Sequence, residues 1–237
     1  MKIAMLRIGI DTGSGGMHGP LLKSGNFEYI PIPDESGIDI RTYGNTKGRS
    51  GKRLLEYFPD TQKLRKENQS IHMDPEFSTF TYGDPAVPKS GLRKLEKGDL
   101  LIFYCGLEGW DFKSDPALYL MGYFIVQAAG YASDFNKSEL QNLFGENFHV
   151  KHKEIFQRQK ERLVLVKGSE HSRLLKKAVK ISVVGHDRTG KPLKILSPEM
   201  RKIFGDFDGK LSFQRSPTRW VPPPYISKAN DFISLLK

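Results

Sequence analysis

Four side chains in the first third of the chain have the chemistry of general acids and bases. Asp11 and His18 belong to a Gly-rich segment, and His72 and Asp74 stand two residues apart. Carboxyl and imidazole groups can transfer protons near neutral pH when the fold places them beside a substrate bond. Ordinary turn chemistry explains the Asp-Pro pair at 74–75 equally well. These four residues are therefore candidates for catalysis, with a turn as the alternative for the second pair.

The Gly-rich segment, residues 11–19, could approach a ligand closely. Glycine permits positive φ, so the backbone N–H groups of such a segment can surround an anion or a phosphate. The segment matches neither the dinucleotide fingerprint nor the P-loop. The alternative is a loop that ends a strand with polar turn residues. The candidate ligand-binding side chains here are Arg7, Asp11, Thr12, Ser14 and His18.

Aromatic residues between positions 104 and 112 could stack on a nucleic-acid base. A base pocket needs aromatic faces and a few hydrogen bonds to the base edge. Tyr104, Trp110 and Phe112 are the candidates, and plain core packing is the alternative. Trp220, beside Arg219, is a second stacking candidate or a structural clamp.

A polar segment near residue 170 offers further ligand contacts. Ser169, His171 and Ser172 lie next to Glu170, but adjacent residues do not form a catalytic triad, because a triad depends on spatial geometry. We expect a polar loop that touches the ligand.

The spacing of the histidine and cysteine residues gives little indication of a metal site. His149 and His152 could share a helical face, but no HExxH pattern or Cys/His cluster completes a set. The one cysteine, Cys105, lies in an apolar run where thiols act as small hydrophobes. We therefore predict no metal site and no cofactor.

The positive charge is concentrated at one end. The chain has a net charge of +10, and residues 151–237 carry 20 Lys and Arg against 8 Asp and Glu, whereas residues 1–150 carry 17 against 19. A concentrated basic region favours a polyanion partner, with a solvated basic face as the alternative. The predicted nucleic-acid contacts are Lys151, Lys153, Arg158, Lys160, Arg173, Lys176, Lys177, Arg219 and Trp220.

The elements that must position these residues are short strands and brief helices. Apolar runs at 2–10, 27–32, 100–105, 117–126, 162–167 and 178–184 predict strands, and the first two are expected to pair. Helices are expected at 51–58, 137–144, 152–160, 197–204 and 227–236. Residues 33–97 are rich in Gly, Pro and charge, which indicates a long irregular insertion over a functional site. The fold class is α+β, a mixed β-barrel with peripheral helices, in a single domain of residues 1–237.

Composition also bears on location. No apolar run approaches the roughly 20 residues of a membrane-spanning helix, and the amino terminus lacks the features of a secretory signal. A single cysteine fits a reducing compartment. We expect a cytoplasmic protein without membrane contact, and the sequence does not indicate an oligomeric state.

Several motifs resemble known families. LEKGDLLIFYCGL (95–107) followed by ALYLMGYFIV (117–126) is similar to the central hairpin of PUA-like barrels, including the EVE and ASCH branches. RIGIDTGSGGMHGPL (7–21), HMDPEFSTFTYGDP (72–85) and KGSEHSRLLKKAVKIS (167–182) resemble the third nucleotide-modification-associated domain family over most of the chain. The resemblance implies a PUA-like fold and an association with modified DNA bases.

Three functions are compatible with these patterns. The leading hypothesis is a binding module that recognises a modified base or nucleotide, in modified DNA, through an aromatic pocket and a basic surface. The second is an enzyme, a hydrolase or glycosylase, acting on modified nucleotides or nucleic acid. The third is a PUA-like RNA-binding protein. Convergence of the acid–base candidates with the aromatics in one cleft would favour the enzyme.

Overall fold

The structure is a computed structural model that describes residues 1–209, 212–213 and 217–236. In chain order its strands are β1 (Ile3–Arg7), β2 (Gly19–Leu21), β3 (Ile32–Pro33), β4 (Ile71–His72), β5 (Thr81–Asp84), β6 (Leu100–Gly109), β7 (Ala117–Tyr131), β8 (Val164–Gly168), β9 (Arg173–Lys180), β10 (Ser182–His186), β11 (Pro192–Leu196) and β12 (Arg219–Trp220). Its α-helices are α1 (Asp60–Lys66), α2 (Lys137–Phe144), α3 (Phe148–Lys151), α4 (Lys153–Gln159), α5 (Pro198–Phe204) and α6 (Ile226–Ser234).

The predicted central hairpin is confirmed as the antiparallel pair β6–β7. It is the middle of a mixed sheet whose main path, over the described residues, runs β12-β1-β6-β7-β8-β5. β1 lies parallel to β6, while β2 also pairs with β6 and β9 with β7. The apolar run of β6 is buried from Leu100 to Leu107, because the sheet is covered on both faces.

The predicted PUA-like barrel is not confirmed. The chain is mixed α and β, but β12 and β5 are the open edges of the main sheet in the part of the chain described, so the sheet does not close. β3–β4 and β10–β11 form two separate two-stranded ribbons.

The strand predicted at 27–32 is largely wrong. Phe27 makes only an isolated bridge to Leu21, and Ile32 begins the short β3. Pro31 has no amide hydrogen to donate to a ladder, which prevents a continuous strand. The expected pairing of this segment with β1 is not formed. One backbone hydrogen bond, from Ile10 N to Ile30 O at 2.9 Å, joins the two segments just after β1 ends.

Helix predictions were better in the second half of the chain. The helices at 137–144, 152–160 and 197–204 are confirmed as α2, α4 and α5, while α3 was missed. The predicted helix at 51–58 is a single 3₁₀ turn, Leu54–Tyr57, because Pro59 follows it. The predicted strand at 178–184 is divided between β9 and β10.

The insertion, residues 33–97, has its own small apolar cluster. Tyr43, Leu54, Leu55, Phe58 and Ile71 are buried together against Ile10 and Ile30. Salt bridges also stabilise the insertion, because the Arg41 guanidinium pairs with Asp39 at 2.7 Å and with Glu76 at 3.1 Å. His152, at the start of α4, lies 3.4 Å from the same Asp39 carboxylate. These contacts hold the insertion against α3 and α4.

Among the described residues, no helix has both the length and the apolar character needed to cross a bilayer.

Candidate active site

A cavity of about 740 Å³ lies where the insertion meets the end of β1 and helix α3. It is lined by residues from several elements, namely Arg7, Ile8, Gly9, Asp11, Ser14, Ile32, His72, Asp74, Tyr82, Gly83, Asp84, Pro85, Lys89, His149 and Gln159. Three of the four acid–base candidates, Asp11, His72 and Asp74, therefore share one cavity, but His18 and the candidate aromatics are not part of its lining, so the convergence expected of an enzyme is met only for these three residues.

Asp74 is a buried carboxyl group of the cavity wall, with a side-chain exposure of 3%. Its two oxygens accept the amide hydrogen of Gly83 at 2.9 and 3.2 Å, and its backbone oxygen accepts the Tyr29 hydroxyl at 3.0 Å. Burial raises the pKa of Asp74 well above its ordinary value, although the Gly83 hydrogen bond opposes this effect. The carboxyl is thus held firmly in a place that disfavours its charge.

His149 faces Asp74 from α3. Its Nε2 lies 3.5 Å from Asp74 Oδ2, and its Nδ1 lies 2.7 Å from Gln159 Oε1. An amide oxygen only accepts, so Nδ1 carries the proton and Nε2 presents a lone pair to Asp74. Burial lowers the pKa of His149, although the hydrogen bond to Gln159 Oε1 opposes this effect.

Two small structural features place His149. Asn147, fully buried, is the N-cap of α3 and its side chain accepts the amide hydrogen of His149 at 3.1 Å. Gly83 of β5 lies directly beneath, since an added Cβ would come within 2.9 Å of Asn147 Oδ1 and 3.0 Å of His149 Cδ2. Only glycine lets α3 approach β5 so closely.

His72 completes the cluster from the end of β4. Its Nε2 is 3.9 Å from Asp74 Oδ2, and its ring packs 4.0 Å from the Phe148 ring and 4.8 Å from the His149 ring, measured between centroids. Burial and the neighbouring His149 lower the pKa of His72 to about 3. The Nε2 atom is buried without a hydrogen-bond partner among the described residues.

The Gly-rich loop forms one side of the cavity through Asp11 and Ser14. Asp11 Oδ1 accepts the amide hydrogens of Gly13 and Ser14 at 2.8 and 2.7 Å, and Arg7 Nη2 lies 3.2 Å from Asp11 Oδ2. Burial alone would raise the pKa of Asp11, but these hydrogen bonds and Arg7 lower it. Two amides of the loop that was expected to bind an anion, those of Gly13 and Ser14, therefore donate to Asp11 instead. The cation at this side of the cavity is Arg7, the last residue of β1.

A second basic residue, Lys89, lines the same cavity. Lys89 is buried, with an exposure of 5%, and burial lowers its pKa to about 8 despite the attraction of Asp84. Asp84 accepts the hydroxyl hydrogen of Tyr82 at 2.9 Å. The cavity thus contains two basic side chains, Arg7 and Lys89, in addition to the His72, Asp74 and His149 cluster.

The cavity continues into a neighbouring cleft of about 450 Å³. The two share Ser14, Ile32, His72, His149 and Gln159, and the second adds Arg158 and Arg162 near α4. Arg158 was predicted to contact nucleic acid. The same cleft also carries the carboxylates Asp34 and Glu35, and it leads to His72 and His149 of the three-residue cluster.

The structure places His18 and Thr12 outside the cavity lining. His18 Nδ1 lies 3.2 Å from Glu108 Oε2 and its Nε2 lies 3.4 Å from Lys194 Nζ. Burial and the charge of Lys194 lower the pKa of His18. Thr12 is exposed in the turn after Asp11.

The aromatic candidates lie away from the cavity. Tyr104 is completely buried, and its ring packs 5.5 Å from that of Phe213, so no face is open to a base. Trp110 is 40% exposed, packs 5.2 Å from the Tyr57 ring and carries Lys52 Nζ 4.5 Å above its own ring. With Phe112 it lines a separate open pocket of about 690 Å³.

The polar segment after β8 is also separate from the cavity. Ser172 Oγ accepts the amide hydrogen of Ile125 at 3.1 Å and joins β7 to the turn. His171 is exposed, and the Ser169 hydroxyl is buried without a hydrogen-bond partner in the described part of the chain.

The predicted nucleic-acid contacts are distributed over three elements. Lys151, Lys153, Arg158 and Lys160 lie on or beside α3 and α4; Arg173, Lys176 and Lys177 lie on β9; and Arg219 and Trp220 form β12. Lys151 and Lys160 pair with Glu146 and Glu161 at 3.2 and 3.7 Å. The Arg219 guanidinium donates to Ser212 O at 3.0 Å.

Sequence reasoning missed Lys89, Gln159, Tyr82 and the role of His149. His149 was compared only with its neighbour His152, whereas its partners are distant in the chain. A local signal did exist, since Asn147 two residues before His149 is typical of a helix N-cap.

Comparison with family models gives one match. The model described as nucleotide modification associated domain 3 matches residues 2–232, nearly the whole chain. The chain belongs to this family. Neither the curated proteins nor the solved structures contain a match to it.

Membership in the nucleotide modification associated domain 3 family confirms the resemblance inferred from the three motifs. Residues 7–21 and 72–85, which carried that resemblance, supply Arg7, Asp11, His72 and Asp74 to the cavity wall. The family description associates the chain with nucleotide modification and thereby with nucleic acid.

Proposed function

We propose that this protein is an enzyme that acts on a modified nucleotide or nucleic-acid base, with the cavity beside β1 as its active site. The observation that carries the proposal is the convergence of Asp74, His72 and His149 on one wall of a cavity that also holds Arg7 and Lys89. Acid–base groups with shifted pKa values that converge in a cavity are typical of active sites, whereas recognition of a base does not require them.

The cations suit a phosphate-bearing substrate. Arg7 offers a planar donor group and Lys89 a compact charge, and both kinds of group bind phosphate oxygens. A cavity of about 740 Å³ is also within the size range of small-ligand sites. The nucleotide would place its phosphate between Arg7 and Lys89 and its reacting bond at the cluster.

The two arginines of the neighbouring cleft suit a polymer substrate. Arg158 and Arg162 line the cleft that joins the cavity at His72 and His149. Phosphate contacts there would position a strand without reading its sequence. A single nucleotide would leave the strand to reach the cavity, as in enzymes that act on unstacked bases.

Hydrolysis is the reaction class that we propose. Carboxyl and imidazole groups activate water and donate protons to leaving groups. The bond broken would be a glycosidic or phosphoester bond of the modified nucleotide, with water adding across it.

The test is turnover of defined substrates. Mononucleotides, single strands and duplexes, each with and without modified bases, would be incubated with the full chain and analysed by mass spectrometry. We expect base release or cleavage, reduced at least about 100-fold in Asp74→Asn. His186→Gln, an exposed histidine on β10, is the matched control that should keep full activity.

Absence of turnover with selective binding would overturn the enzyme and establish a reader of modified bases. That second candidate has one observation in its favour: the exposed Trp110 and Phe112 line an open pocket where a base could stack. Preference for unmodified RNA in the same experiment would instead establish an RNA-binding protein.

A further inference from the structure

Three side chains of the cavity have the donor atoms and spacing of a metal site. One nitrogen each from His72 and His149 and one oxygen of Asp74 all lie within 4.8 Å of one another. The distances to Asp74 Oδ2 are 3.5 Å from His149 and 3.9 Å from His72. Ligands at about 2.0–2.1 Å from a tetrahedral ion are roughly 3.3 Å apart, so small rotations would bring all three onto one ion.

His149 is already oriented as a ligand. Its Nδ1 is engaged by Gln159 Oε1 at 2.7 Å, which leaves the Nε2 lone pair facing Asp74 and His72. Metal-binding histidines usually donate their other ring N–H to an oxygen, which fixes the tautomer and the ring orientation. Gln159 is therefore a positioning residue for His149.

His72 presents an unsatisfied nitrogen to the same point. Its buried Nε2 has no hydrogen-bond partner among the described residues, and the nearest Asp74 oxygen, at 3.9 Å, is beyond hydrogen-bonding distance. A buried polar atom without a partner costs free energy. Coordination of a cation would satisfy this atom and would also offset the cost of burying the Asp74 carboxylate.

We propose that His72, Asp74 and His149 bind a divalent first-row transition metal ion. Two imidazoles and one carboxylate suit Zn²⁺ or Fe²⁺, whereas Mg²⁺ and Ca²⁺ prefer oxygen ligands. All three residues line the cavity, so further coordination positions would face it and take water or substrate. The inference goes beyond the proposed function, since it holds whatever ligand the cavity accepts.

The test is a metal titration of the chelator-treated full chain without nucleotide. Co²⁺ serves as the probe because its visible absorption reports coordination, and Zn²⁺ and, under anaerobic conditions, Fe²⁺ are then added as competitors. We expect one Co²⁺ per chain and displacement by the ion that the site prefers. Asp74→Asn, His72→Gln and His149→Gln should each weaken Co²⁺ binding at least tenfold, while His186→Gln should bind like the wild type.

A further variant keeps the proposal testable if the ligand variants unfold. Gln159→Ala retains all three ligands and should weaken Co²⁺ binding about 10- to 100-fold through the orientation of His149. Thermal unfolding followed by circular dichroism establishes that each variant is folded.

The outcomes separate the two proposals. Weak Co²⁺ binding that is equal in wild type and all folded variants would overturn the metal site, even if nucleotide turnover proceeds in chelator. Stoichiometric Co²⁺ binding that depends on the three ligands would establish the metal site, even if every nucleotide substrate fails.

Discussion

At the residue scale, burial changes which side chains are charged at neutral pH. His72, with a pKa lowered to about 3, is neutral, while Lys89, with a pKa of about 8, loses its charge within the working range of many assays. The positive charge available to an anionic ligand therefore depends on pH through Lys89.

The pH dependence of ligand binding tests this arrangement. Above pH 8 the Lys89 amine is mostly deprotonated in the free protein. Binding of a phosphate-bearing ligand then requires uptake of a proton by Lys89, so affinity should fall by up to about tenfold per pH unit. A lysine with the ordinary pKa of 10.5 would give this fall only at higher pH. Calorimetric titration with a nucleotide between pH 6.5 and 9.5 measures it. Lys89→Met should bind more weakly and show no fall, and a wild-type affinity that is flat to pH 9.5 would refute the role of Lys89.

Trp110 provides a second residue-scale prediction. Because Trp110 packs against Tyr57 and Lys52 outside the cavity, Trp110→Ala should change nucleotide affinity by less than about 0.5 kcal/mol. A fluorescence titration of the folded variant measures this. A loss of about 1–3 kcal/mol would show that a base stacks on Trp110 and would favour the reader.

At the element scale, the short helix α3 determines the position of His149. A helix of four residues has little stability of its own, so its N-cap and its contact with Gly83 must hold it. This is why a buried asparagine stands at position 147.

The caps of α3 and α2 form a matched pair of variants. Asn147 accepts from His149 N, and Asn136 accepts from Glu139 N at the start of α2. Each Asn→Ala change should lower the free energy of unfolding by about 0.5–2 kcal/mol in urea denaturation. Only Asn147→Ala should also weaken Co²⁺ binding, because α2 contributes no residue to the cavity. Equal Co²⁺ affinities in both variants would show that the cap does not position His149.

Elements were predictable where local signals were complete. The hairpin β6–β7 was visible as two apolar runs, and α5 as Ser197-Pro198 before an apolar face that ends at Gly205. The region 27–32 was misread because its apolar residues alternate like a strand while Pro31 blocks the ladder. The sheet order could not be read at all, since the parallel pairing of β1 with β6 joins segments about 100 residues apart and leaves no local trace.

The site was predictable in part for the same reason. Arg7, Asp11, His72 and Asp74 stand out by residue type within short motifs. Lys89 and Gln159 are ordinary polar residues in sequence, and only burial gives Lys89 its unusual pKa and only the α4 position brings Gln159 to His149.

At the scale of the whole molecule, the excess positive charge of residues 151–237 lies on several elements rather than on one. Arg158 and Arg162 are the members that border the cleft into the cavity. If a nucleic-acid strand follows this cleft, its binding should release counterions at these two arginines in particular.

Salt titration measures that contribution. The slope of log affinity against log salt should become shallower by about 1.8 for duplex DNA, or about 1.4 for a single strand, in the Arg158→Gln, Arg162→Gln double variant. Arg188→Gln, in the exposed turn between β10 and β11, is the control and should leave the slope close to that of the wild type. Identical slopes in all three proteins would place the strand elsewhere.

The division of the three-residue cluster between the insertion and α3 has a consequence for how the protein melts. His72 belongs to a ribbon outside the main sheet, and His149 to a four-residue helix. An ion held by both would act as a removable cross-link that closes a loop of about 75 residues in the chain. Metal would then stabilise the native state by mass action, and chelation would let these two peripheral pieces open before the central sheet unfolds. Amide hydrogen exchange at β4 and α3 would respond to metal while exchange in β6 and β7 stayed slow.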